Sequence, residues 1–312
     1  MQTYDNTPIV SVICATYNQE KYIAQCLEGI LMQKTDFPYE LIVNDDASTD
    51  GTASIIRKFE AEHDNVVAIY QVKNLWSQGY SIPRTVLYPR TRGKYIAICE
   101  GDDYWTDPYK LQKQVDYMEA HPDVSVCATE GYILNQASGE MRPVYDSKNL
   151  EFTALNFLKD NPIYTLSTLS RASWVKEYQL ELAPLLPKFL MGDYPMWLYL
   201  VKRGRVVLLK DKCFVYRELE QSASHFKSTC HQIDFYLSAY DIKIYFNRLM
   251  NYGKRFMIYR KFRDLRKEIK RLSKERGESF WKLYLYGLKC ALFNSNACPS
   301  PQARRAVKNI LK

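Results

Sequence analysis

Ile9-Val10-Ser11-Val12-Ile13-Cys14-Ala15-Thr16-Tyr17-Asn18 runs from a continuous apolar stretch into a polar turn that contains no glycine. An apolar run bounded by turn residues reads as a strand buried on both faces of a parallel sheet. Ile23, Leu27, Ile30 and Leu31 then recur at helical spacing within Gln19 to Gln33. The pattern repeats. Tyr39 to Asn44 reads as a second strand, followed by a helix containing Ile55, Ile56 and Phe59 with Asp50 or Thr52 as its cap. Val66 to Val72 is a third strand and Tyr95 to Cys99 a fourth. This alternation predicts an α/β fold with a mainly parallel sheet and helices on its faces.

Two of these strands run into acids. The second ends in Asn44-Asp45-Asp46-Ala47-Ser48-Thr49-Asp50-Gly51-Thr52, the fourth in Glu100-Gly101-Asp102-Asp103-Tyr104-Trp105. Open α/β sheets bind ligands in the crevice outside the carboxyl ends of their strands, so both acidic ends should face one crevice. Carboxylates crowded this closely raise each other's pKa unless a cation shares them. Hard oxygen ligands favour magnesium or manganese over zinc. Tyr104 and Trp105 are costly to expose and suggest a lined cavity. Asp45-Asp46 taken alone reads better as a helix-capping loop. Met191-Gly192-Asp193-Tyr194-Pro195 opens an apolar helical stretch, where Asp193 suits an N-cap and Pro195 the first turn. A capped carboxylate is also a rigidly aimed one. The glycine-free turn after the first strand excludes a dinucleotide fingerprint, and no phosphate-cradling Gly-x-x-x-x-Gly-Lys-Ser/Thr loop occurs. A Rossmann oxidoreductase and a P-loop nucleotidase are thereby disfavoured.

The 312 residues suffice for one large core or a core with an appendage. Asn74 to Arg92 must be partly helical or tightly packed, because long structureless connections are uncommon. Pro108 opens a helix over Lys110 to Ala120, and Val124 to Ala128 is a further strand. Residues 130–227 are less regular, with helical signals at 152–159, 171–179 and 194–203 and a strand at Arg205 to Leu209. They are expected to form a second lobe that completes the site. The expected organisation is a catalytic domain over 1–227, with a nucleotide-binding half to about 105 and an acceptor half over 106–227, and a helical extension over 228–312. Eight cysteines without a Cys-x-x-Cys pair suggest a reduced, cytoplasmic setting. The amino terminus lacks the features of a signal peptide, and no apolar run is long enough to cross a bilayer.

The ordered pieces resemble the family 2 glycosyltransferases, inverting enzymes of the GT-A fold. They are Val10 to Asn18, Glu40 to Thr52, Gly93 to Asp103, Gly192-Asp193 and Tyr216-Arg217, covering residues 8 to about 225. The resemblance implies a nucleotide-binding βαβ sandwich and a nucleotide-sugar donor, typically a UDP-sugar. It implies that Thr16 and Tyr17 line the nucleoside pocket and that Asp45 accepts a hydrogen bond from the base. Glu100, where the family often has the first Asp of an Asp-x-Asp motif, would lie near the ribose. Asp102, helped by Asp103, would ligate Mn²⁺ or Mg²⁺, and Asp193 would be the general base. The histidine that many members carry after the Tyr-Arg pair is Leu219 in this chain, which leaves His225 as a candidate late ligand. These residue types suit the chemistry on their own terms. A divalent cation offsets the charge of a departing diphosphate, and a carboxylate on the far side of the sugar takes the proton of the attacking hydroxyl. The expected function is metal-dependent inverting transfer to a glycan or lipid-linked acceptor, in the service of a surface polysaccharide. The alternative is a non-catalytic nucleotide-sugar-binding or scaffold protein of the same fold.

The net charge of +8 is unevenly distributed. Residues 228–312 hold 19 Lys and Arg against 6 Asp and Glu, whereas the remainder holds 24 against 29. Such asymmetry points to an anionic partner for the tail. Ile258, Phe262, Leu265, Ile269 and Leu272 mark an amphipathic helix, and Phe280 to Leu288 is rich in aromatics. This segment, 254–289, lies on an anionic membrane surface on the inner face of the cell membrane, packs on the body, or pairs with another subunit. No nucleic-acid motif accompanies it.

Overall fold

A computed structural model describes residues 7–145, 151–219, 228–252 and 254–291. His225, the candidate late ligand, lies outside them. The chain divides into two compact units, Met1–Glu181 with Leu200–Glu220 and Leu182–Tyr199 with Gln221–Lys312.

The first unit alternates β1 (Val10–Thr16), α1 (Ile23–Leu31), β2 (Tyr39–Asp45), α2 (Thr52–Glu62), β3 (Val66–Tyr70) and β4 (Tyr95–Ile98). There follow β5 (Tyr104–Trp105), α3 (Lys110–Ala120), β6 (Val124–Asn135), β7 (Met141–Pro143), β8 (Glu151–Phe152), α4 (Ala154–Lys159), β9 (Leu169–Arg171) and α5 (Ala172–Glu181). α6 (Tyr194–Arg203) leads into β10 (Arg205–Glu218). Among the described residues all strands join one sheet of order β3-β2-β1-β4-β9-β6-β10-β5, with β7 on β6 and β8 on β10. β1, β2, β3 and β4 are parallel, as are β6 and β10, while β9 runs antiparallel between β4 and β6. The mainly parallel mixed sheet is therefore as expected.

The apolar pattern explains the packing. Val10, Val12 and Cys14 of β1 and Leu41 and Val43 of β2 are buried against Ile23, Leu27 and Ile30 of α1. Asn74 to Arg92 is indeed compact, with a 3-10 turn at Trp76–Gln78, a π turn at Pro83–Leu87 and another 3-10 turn at Tyr88–Arg90. At the amino-terminal pole of the sheet, Glu40 accepts from Ser11 Oγ (2.6 Å) and from Arg92 Nε and Nη2 (2.9 and 2.7 Å), which satisfies a buried carboxylate. β6 and β10 run well beyond the short strands expected, because β10 pairs with β6 through successive register shifts that bend it along its partner. Gly51, not Asp50 or Thr52, is the N-cap of α2. Asp50 sits one residue earlier and accepts from Thr52 N (3.0 Å) and Oγ1 (2.6 Å).

In the second unit α7 (Thr229–Leu249), α8 (Lys254–Arg276) and α9 (Phe280–Lys289) share a small core. Leu265, Ile269 and Leu272 of α8 are buried with Ile233 and Leu237 of α7 and Leu283 of α9. Gly287 permits the close approach, since a Cβ there would lie 2.9 Å from Ile269 Cδ1. The apolar stripe of α8 over Phe262 to Leu272 is thus covered by its neighbouring helices, while the side chain of Ile258 lies outside the described ones. No helix among the described residues is long and apolar enough to cross a membrane.

Lys110 departs from the pattern. It opens α3 yet is fully buried, with Nζ 2.8 Å from Gln114 Oε1 and 4.1 Å from the centre of the Trp105 ring. Gln114 Nε2 in turn donates to the carbonyls of Cys127 (2.6 Å) and Ser167 (2.9 Å). Burial lowers the Lys110 pKa to about 8. Between that value and the ordinary lysine range the unfolded chain holds a proton that the folded chain has lost, so folded stability rises with pH across this window. Relative to Lys110→Met, the wild type should gain about 2 kcal/mol between pH 7.5 and 10 in denaturant unfolding. A difference that does not vary with pH would contradict the assignment.

Candidate active site

Register brings Thr16 and Asp45, with the Glu100–Asp103 loop beside them, to one rim of the first unit. Thr16 pairs with Asp45 at the carboxyl ends of β1 and β2, and Asp45 with Tyr70 of β3. Beside them, Gly101 N donates to the Ala15 carbonyl (3.1 Å), which lays the Glu100–Asp103 loop along the end of β1. A side chain at position 101 would meet Gln19 Oε1 at 2.4 Å and Thr16 Oγ1 at 2.8 Å, so only glycine fits this approach. Thr16 is buried and donates through Oγ1 to Gln19 Oε1 (2.6 Å), while Tyr17 is exposed at the rim.

The two loops that follow β1 and β2 are knitted together. Asn18 N donates to Ser48 Oγ (2.9 Å), Thr49 N to Asn18 Oδ1 (2.8 Å), Gln19 N to Thr52 Oγ1 (2.8 Å) and Gly51 N to Glu20 Oε2 (2.7 Å). Asn18 and Ala47 hold positive φ of 51° and 62°. Asparagine tolerates this region; alanine does so under strain that the surrounding bonds must hold.

Asp45 and Asp46 have different environments. Asp46 Oδ1 accepts from Leu75 N (2.8 Å), its Oδ2 from Trp76 N (3.0 Å) and its carbonyl from Asn74 Nδ2 (3.0 Å). It therefore fixes the connection after β3 and not the helix that follows β2. Asp45 is 3% exposed, and its Oδ2 has one long contact, to Ser48 N at 3.4 Å. Its Oδ1 is buried with no hydrogen-bond partner. A buried acceptor left open at a strand's carboxyl end is suited to a ligand's donor.

The acidic loop is held by a guanidinium. Arg217, at the carboxyl end of β10, is buried, lies 4.4 Å from the Tyr104 ring centre and 5.1 Å from that of Tyr22, and donates to the Asp102 carbonyl and to Gln25 Oε1. Its backbone N donates to Asp103 Oδ1 (2.7 Å). β5 closes the clasp by pairing Tyr104 and Trp105 with Val215 and Phe214 of β10. Trp105 does not line a cavity. Its ring is in the core, with Nε1 donating to the Leu166 carbonyl (2.9 Å). The sequence reading assigned no role to Gln19, Gln25 or Tyr22, and it quoted Arg217 without one. No pattern within one segment marks a contact between residues so far apart in the chain.

Electrostatics within the loop follow from burial and crowding. Burial lifts the Asp102 carboxyl above the usual carboxylate range. Burial, then Asp102 and Glu100, push Asp103 well above it, and Tyr216 is raised by burial and by the same three acids. Among the described residues no group of three or more His, Cys, Asp or Glu could hold a metal ion. A magnesium-type ion in a nucleotide site uses one or two carboxylates and completes its shell with phosphate oxygens and water. The half-buried Asp102 fits that donor set, whereas Asp103 already accepts the Arg217 N–H. Beneath the loop lie the buried thiols of Cys26 and Cys99, 3.8 Å apart, with Cys26 Sγ 3.3 Å from the Glu100 carbonyl.

Asp193 belongs to the second unit and immediately precedes α6. Its carbonyl accepts from Met196 N (2.9 Å) and Trp197 N (3.1 Å), consistent with the N-cap position expected of it.

Residues 11–172 match the family model described as glycosyl transferase family 2. A stretch of 161 residues is 37% identical to an uncharacterized protein of Mycobacterium tuberculosis, covering 49% of this chain and 46% of that one, so the match spans about half the length of that relative. The putative teichuronic acid biosynthesis glycosyltransferase TuaG of Bacillus subtilis is 28% identical over 220 residues, 70% of this chain and 82% of its own. The structure of Staphylococcus aureus TarS residues 1–349 in complex with UDP-GlcNAc superposes with a TM-score of 0.64 at 22% identity, covering 93% of this chain and 81% of that one. The mixed sheet with its flanking helices is that of the GT-A type. The chain belongs to glycosyl transferase family 2.

Proposed function

We propose that this protein transfers a sugar from a nucleoside diphosphate donor, read as a UDP-sugar, to a glycan or lipid-linked acceptor with inversion at the anomeric carbon. The observation that carries the reading is the open, buried Oδ1 of Asp45, set beside Thr16 on the rim that also bears Glu100 to Asp103. A uracil N–H is the kind of donor this oxygen lacks. TarS, whose fold this chain shares, has been seen with UDP-GlcNAc, which supports the choice of base. TuaG is named for teichuronic acid biosynthesis, which supports a glycan acceptor.

In this reading Thr16 and Tyr17 border the nucleoside, Asp45 receives the base, and Glu100 lies toward the ribose. Asp102, with Asp103 behind it, would hold Mg²⁺ or Mn²⁺, which when bound neutralises diphosphate charge. Arg217 and Gly101 position that loop. Asp193 takes the proton from the acceptor hydroxyl as the hydroxyl oxygen bonds to the anomeric carbon and the bond from that carbon to the diphosphate oxygen breaks. The nucleoside diphosphate leaves on the opposite side, so a single displacement inverts the centre. Catalysis is assigned to residues 1–227, and the basic helices beyond are accessory.

Four substitutions test these roles. Asp45→Asn should lower UDP affinity by roughly 10-fold in calorimetry while leaving thermal stability unchanged or raised, because no bond to Oδ1 is lost. Asp46→Asn should instead destabilise the fold by about 1–3 kcal/mol, since two backbone donors lose their charged acceptor. Asp102→Ala should weaken UDP binding in Mn²⁺ by about tenfold yet leave binding in chelator unaltered. Asp193→Asn should cut sugar transfer by roughly 10²- to 10⁴-fold with nucleotide affinity retained. Release of nucleoside diphosphate from a panel of nucleotide sugars tests the whole reading, because a scaffold protein would release none.

A further inference from the structure

We propose that the outward face of α9, with its own lysines, is a docking surface for an anionic lipid bilayer. The inference is independent of the transfer reaction. Leu265, Ile269 and Leu272, of the α8 stripe whose spacing suggests a membrane-facing surface, are buried against α7 and α9 and are not available for this purpose. The free apolar side chains are on the next helix. Trp281 is 69% exposed and Leu285 55% exposed, one turn apart on the side of α9 opposite the buried Leu283 and Gly287. Lys282 and Lys289 are exposed alongside them. Large apolar side chains left exposed beside lysines on one helix are the arrangement that seats a helix in the headgroup layer.

Much of the remaining charge of this unit is also unneutralised. Arg271 is paired with Glu268 and Glu275, and Arg263 with Asp264. Arg266, Lys267, Lys270 and Lys274 are exposed, and among the described residues no carboxylate pairs with them. They lie on the side of α8 opposite its buried Leu265, Ile269 and Leu272. The buried residues of α8 pack on Gly287 of α9, so the α8 cations point away from that helix; among the described residues Lys282 and Lys289 are the cations that share a side with Trp281 and Leu285, and those of α8 add to the positive field of the unit. An anionic bilayer satisfies both features at once, because its headgroups answer the cations and its acyl boundary accepts Trp281 and Leu285. A soluble polyanion would answer only the cations.

The test uses the full chain and vesicles of phosphatidylglycerol mixed with phosphatidylcholine, against phosphatidylcholine alone. The wild type should float with the anionic vesicles only, and its indole emission should shift to the blue. Trp281→Ser with Leu285→Ser, confirmed as folded by circular dichroism, should lose vesicle partitioning by roughly tenfold or more. It should keep the wild type's affinity for polyphosphate in solution and its release of nucleoside diphosphate. Lys282→Glu with Lys289→Glu should weaken both vesicle and polyphosphate binding. Undiminished flotation of the serine variant would overturn the proposal and leave a simple polyanion-binding face, and failure of the wild type to bind anionic vesicles would overturn it outright.

Discussion

A buried guanidinium holds together an acidic loop that would otherwise push itself apart. Glu100, Asp102 and Asp103 lie within four residues, and burial disfavours the charge of Asp102 and, still more, of Asp103. Arg217 meets this loop twice, through its backbone N–H to the Asp103 carboxylate and through its guanidinium to the Asp102 carbonyl. The contact joins the fourth strand's end to that of the tenth, across more than a hundred residues of chain. Arginine suits the position because it stays charged when buried and its planar fork stacks between Tyr22 and Tyr104.

The same loop depends on close packing. Gly101 lies against Thr16 and Gln19 with no room for a side chain, and three small buried thiols, Cys14, Cys26 and Cys99, fill the space below. The seven cysteines among the described residues are all free, which fits their use as compact apolar side chains. On the neighbouring strand end, the division between Asp45 and Asp46 shows how adjacent acids acquire opposite characters. One carboxylate is used by backbone donors from the segment after β3; the other keeps a buried oxygen open.

The helical unit carries its charge differently. A buried pair, Lys261 with Asp241 at 2.6 Å, lies inside it, while most of its other described cations face outward. Its small core accounts for the periodicity read in the sequence, so amphipathicity there reports packing among helices before it reports any surface.

The α/β class, the helices at 110–120 and 194–203, and the acidic strand ends were legible because apolar periodicity and strand-end chemistry are local properties. The membership of Thr16, Asp45 and Glu100 to Asp103 in one rim was also legible, since parallel strands put their carboxyl ends on one side. Tertiary structure alone decided which acid is satisfied and which is open, because that depends on backbone donors arriving from residues 74–76. It alone placed Trp105 and Lys110 in the core and Arg217 over the acids, since burial of a polar or aromatic side chain is set by what packs on it from distant segments. And it alone showed which helix of the basic tail presents apolar side chains outward: periodicity identifies a stripe, but only the neighbouring helices determine whether that stripe is covered.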